Sequence, residues 1–186
     1  MTIKTVGTTT NFVVTYQDTD TTGNIPRLFQ NAERRAANLL ATCEEDFSIL
    51  KSWFGLQDGF GAKNPVTLQV ETASWASNNG YKSDKTTLIR INPFDNAASQ
   101  EDADDAVQSL FVAEMIEILM GGYSATSWHP NKSDGVGLSR VAAATLHPVG
   151  YYRLLGGPFV NPWLKTKRSD SVDNWVKKNA DTDTDK

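Results

Sequence analysis

Residues 111 to 123 read "FVAEMIEILMGGY", an apolar helical stretch with two carboxylates, Glu114 and Glu117, set into it. Side chains three positions apart share one face of a helix. Burying a carboxylate costs several kcal/mol unless something pairs with it, so an ordinary core helix has no use for such a pair. Upstream, Ser99 followed by Asp102 forms a capping box for a helix over 101 to 121, in which Ala103, Val107, Leu110 or Phe111, Glu114 and Ile118 fall on one stripe. Glu114 is thereby expected to face the core.

The rest of the chain supplies that core. Its 186 residues, 39% hydrophobic and 22% charged, suit one sizeable globular domain. The strand "NFVVTY" (11 to 16) is rich in β-branched and aromatic residues. After the break "QDTDTTGN", Asn24 and Pro26 open a long amphipathic helix. On it Leu28, Ala32, Ala36, Leu39, Cys43, Phe47, Leu50 and Phe54 recur at three- and four-residue steps as far as Gly55. "VTLQVETA" (66 to 73) alternates as a half-buried strand does, and "TTLIRINPF" (86 to 94) reads as another. Asn79-Gly80 between them marks a turn, so the two are expected to form a hairpin with a decorated loop. "GLSRVAAATLHP" (137 to 148) reads as a helix stopped by Pro148, followed by aromatic, Gly- and Pro-punctuated packing material. The fold class expected is α+β: a mixed, mainly antiparallel sheet with long helices packed on it. Residues 1 to 165 form the domain, and 166 to 186 are a polar C-terminal segment that ends as if truncated.

Composition excludes several functions. A net charge of -4 disfavours nucleic acid and anionic membranes, both of which reward basic patches. No apolar run approaches the roughly 20 residues of a membrane span, and the start "MTIKTVGTTTNFVV" lacks the pattern of a signal peptide. A soluble protein is expected, its compartment left open. The single cysteine rules out an internal disulfide and a Cys-based metal cluster, and its place on the apolar helix face gives it a core role.

Among candidate sites, "DTDTTG" (18 to 23) opens like a calcium loop, but Phe29 stands where a bidentate Glu is needed, so it reads as a turn. Neither a phosphate-cradling loop nor a nucleophile elbow is present. Each of the two histidines, His129 and His147, precedes a proline and reads as structural or exposed. Tyr123, Trp128 and His129, in "GGYSATSWHP" after the glutamate helix, are candidates to bind a peptide or sugar; their alternative is to cap the core with a polar tip reaching out.

"AEMIE" (113 to 117) superimposes on the HExxH helix of zinc peptidases. Ala113 and Glu117 take the places of the two histidine ligands, and Glu114 that of the general base. The order of parts, a strand "TTLIRINPF", this helix, then a second helix at "GVGLSR", resembles the zincin fold and its gluzincin branch. The third ligand there is a Glu opening the next helix. Val136 occupies that place here, with residues 118 to 135 between it and Glu117. "CEEDFSILKSWFG" (43 to 55), "SDGVGLSR" (133 to 140) and "PWLK" (162 to 165) are similar to an uncharacterised zincin-like family in which Glu, not Val, precedes "GLSR". The resemblance implies a zincin-like architecture with a degenerate HExxH helix.

A zinc site needs at least three protein ligands, and neither Ala113 nor Val136 can be one, so no metal or other cofactor is expected. The function implied is a metallopeptidase-like domain without a competent zinc centre, kept as a non-catalytic binding or interaction protein. One alternative is an active hydrolase with Glu114 as general base and a metal or water on Glu117; another is a structural or secreted effector domain acting through its surface. In the absence of metal, Arg140 is the cation expected to bridge Glu114, Glu117 or both, with Tyr123 or Ser139 as further donors.

Overall fold

A computed structural model describes residues 2–18, 26–55, 65–71, 81–84, 88–91, 100–122 and 133–150. Along the chain run β1 (Thr2–Thr8), β2 (Phe12–Asp18), α1 (Pro26–Phe54), β3 (Val66–Val70), β4 (Tyr81–Asp84), β5 (Leu88–Ile91), α2 (Gln100–Gly122), α3 (Ser133–Leu146) and the short turn of helix α4 (Pro148–Gly150). The mixed α+β class is as expected. Asn24, the loop 56–64, the turn at Asn79-Gly80, Ser99 and the segment 166–186 lie outside the described residues.

The strands form one five-stranded sheet in the order β1-β2-β3-β5-β4. Its three central strands run parallel, and only the two outer pairs, β1 with β2 and β4 with β5, are antiparallel. This corrects two expectations. The sheet is not mainly antiparallel, and "VTLQV" does not form a hairpin with "LIRI"; that strand lies parallel to it, while β4 makes the antiparallel partner. Parallel neighbours need a crossover, and α1 provides it between β2 and β3. β1, within a stretch that reads as a merely polar start, is an added edge strand, mostly exposed.

Register explains the core. Phe12 lies opposite Val66, Val14 opposite Leu68, Tyr16 opposite Val70, and Leu68 and Val70 opposite Ile89 and Ile91. All eight are buried, a single apolar face on which both long helices rest. The Phe12 ring meets Phe47 of α1 and Phe111 of α2 edge-on, with centroids at 5.3 and 5.4 Å, an arrangement aromatic quadrupoles favour. Ala32, Ala36, Leu39, Cys43, Phe47 and Leu50 of α1 are fully buried, as their spacing predicts. Pro26 begins α1, where a missing N–H costs nothing, and Gly55 ends it at φ 65, a left-handed cap that suits glycine.

The opposite sheet face is polar. There Thr15 Oγ1 donates to the Leu68 carbonyl at 3.2 Å, and Gln69 Nε2 donates to Glu71 Oε1 at 2.8 Å. Arg90 Nε lies 3.2 Å from the same Glu71 oxygen, an ion pair by distance without hydrogen-bond alignment.

Behind α2 lies a further helical layer. α3 packs chiefly on α2 and α4, and it begins before Gly137, the expected start. A Cβ on Gly150 would sit 2.3 Å from the backbone of Asp105, so α4 approaches α2 as closely as only glycine permits.

Candidate functional site

α2 is buried almost all round between residues 106 and 116, because the sheet and α1 cover one side and α3 and α4 the other. Glu114 lies in that stretch, 0% exposed, with Ala113, Met115 and Ile116 as buried neighbours. Among the described residues neither carboxylate oxygen of Glu114 has a hydrogen-bond partner. Burial foremost, then the charge of Glu117, raises its pKa well above the ordinary 4.5; Arg140 pulls the other way and does not compensate. Desolvation of this kind favours the neutral form of a carboxyl. The helical stripe foretold its inward direction.

Glu117 is half-buried and accepts a hydrogen bond from Ser139 Oγ of α3 at 3.2 Å. Ser139 is fully buried, and it is one of the donors anticipated for this pair. The bridging role expected of Arg140 fails for Glu114, which among the described residues accepts no hydrogen bond and senses Arg140 only as a charge. Helix geometry gives the reason. Each residue turns the direction by about 100°, so with Ser139 aimed at α2, Arg140 is rotated aside to a half-buried position and Val141 is exposed.

The donor set does not fit zinc. Ala113 carries no donor, Val136 lies in α3 as an aliphatic residue, and one oxygen of Glu117 is engaged by Ser139. Among the described residues no cluster of three or more His, Cys, Asp or Glu has an arrangement that could hold a metal. Tyr123, Trp128 and His129 lie outside the described residues.

Three polar networks escaped the sequence. His147 Nε2 and Asp46 Oδ2 are 2.8 Å apart, both largely buried, joining the end of α3 to α1. Ser109 Oγ donates to the His147 backbone carbonyl at 3.0 Å. Ser, His and Asp thus meet, but not as a nucleophilic triad: the hydroxyl is turned to a carbonyl and the imidazole nitrogen to the carboxylate, so no base faces the serine. Asp104 takes Asn38 Nδ2 at 2.9 Å and Arg34 at 3.1 Å. Burial still raises its pKa against the charges of Arg34 and Arg35. Glu44 accepts both the backbone N–H and the Nδ2 of Asn11, at 2.7 and 2.8 Å. Cys43, fully buried, has its thiol pushed up to about 11 by burial, which removes it as a nucleophile.

No protein-family model, curated protein or solved structure matches the chain. No helix among the described residues is long and apolar enough to cross a membrane.

Proposed function

We propose that the chain is a metallopeptidase-like domain of zincin-like architecture that has no competent zinc centre and serves as a non-catalytic binding or interaction protein. The observation that carries this reading is the burial of Glu114. A general base must touch the water it activates, and Glu114 is 0% exposed with no partner for either oxygen among the described residues. A raised carboxyl pKa is also a mark of active sites, which is what favours the rival reading of Glu114 as the base of an atypical hydrolase. That reading requires the carboxyl to reach solvent, and full burial argues against it. The contact between α2 and α3 at Glu117 and Ser139 supports the zincin-like part, since it sets the "GLSR" segment beside "AEMIE". A peptide or a sugar is the ligand this reading assigns to the aromatic stretch around Trp128.

Zinc analysis after loading and dialysis, paired with a peptidase assay, tests the proposal. Far less than one zinc per chain and no turnover are expected. Stoichiometric zinc, or turnover abolished by Glu114→Gln, would overturn it.

A further inference from the structure

We draw no further inference here: the strongest candidate, the outward surface of α3 and α4 with Val141 and Val149 exposed, carries nothing because no observation among the described residues shows what covers it.

Discussion

Glu114 costs the fold stability. Its folded pKa lies above the ordinary 4.5, so between those values the folded state holds a proton the unfolded chain has released. Stability contributed by this group is complete below about pH 4.5 and declines as pH rises toward the folded pKa. Replacing an unsatisfied polar group by an apolar one of similar shape recovers its desolvation cost, about 1 to 3 kcal/mol. Glu114→Met should therefore stabilise the protein by about that amount in acid and by more at neutral pH, where ionisation of the unfolded chain adds to the cost; urea titrations at several pH values would read both. Glu44 has the opposite sign. Burial pushes it up, but hydrogen bonds from Asn11 outweigh that and leave its pKa lowered from 4.5. Its contribution is present above that value and fades as pH falls below it, so Glu44→Gln should blunt the loss of stability in acid. Of these two residues the sequence revealed one. The helical stripe pointed Glu114 inward, whereas Asn11 and Glu44 meet only because the turn before β2 folds onto α1. Whether Glu114 had a partner depended on the rotation of a second helix by one residue, at Arg140, which no spacing within α2 could report.

Between elements, recurrent spacing was legible and non-local pairing was not. α1 could be drawn from Ala32, Ala36, Leu39, Cys43 and Phe47, all buried. The parallel order of β2, β3 and β5 could not, because strands joined by crossovers carry no turn signal; the one local signal, Asn79-Gly80, favoured a hairpin between the wrong strands. Likewise His147, before a proline at a helix end, reads as structural or exposed, and its partner Asp46 is 101 positions away. Removing one side of that pair leaves a largely buried side chain without its partner, a loss of about 1 to 3 kcal/mol. His147→Phe should cost about 2 kcal/mol, with hydrogen-exchange protection lost first in the last turn of α3 and in α4. Gly150→Ala sets a methyl against the backbone of Asp105, which cannot give way as a flexible side chain would. A loss of about 1 to 3 kcal/mol is expected in thermal or chemical unfolding, against a gain of about 0.5 to 1 kcal/mol for the same change at exposed Gly137 inside α3, whose added Cβ meets nothing within 4 Å.

For the molecule as a whole, one apolar sheet face carries two helices, and a third helical layer seals the second of them. The sealing makes the middle of α2 core on every side, and α3 sets a serine against Glu117. The account's central claim is that Glu114 is a neutral, enclosed carboxyl that no metal approaches. A carbon-detected NMR titration of the Glu114 carboxyl, run with and without added zinc, tests it most directly. The account predicts the protonated signal at neutral pH, unmoved by zinc; an ionised signal there, or one displaced by zinc at stoichiometric ratio, would contradict it.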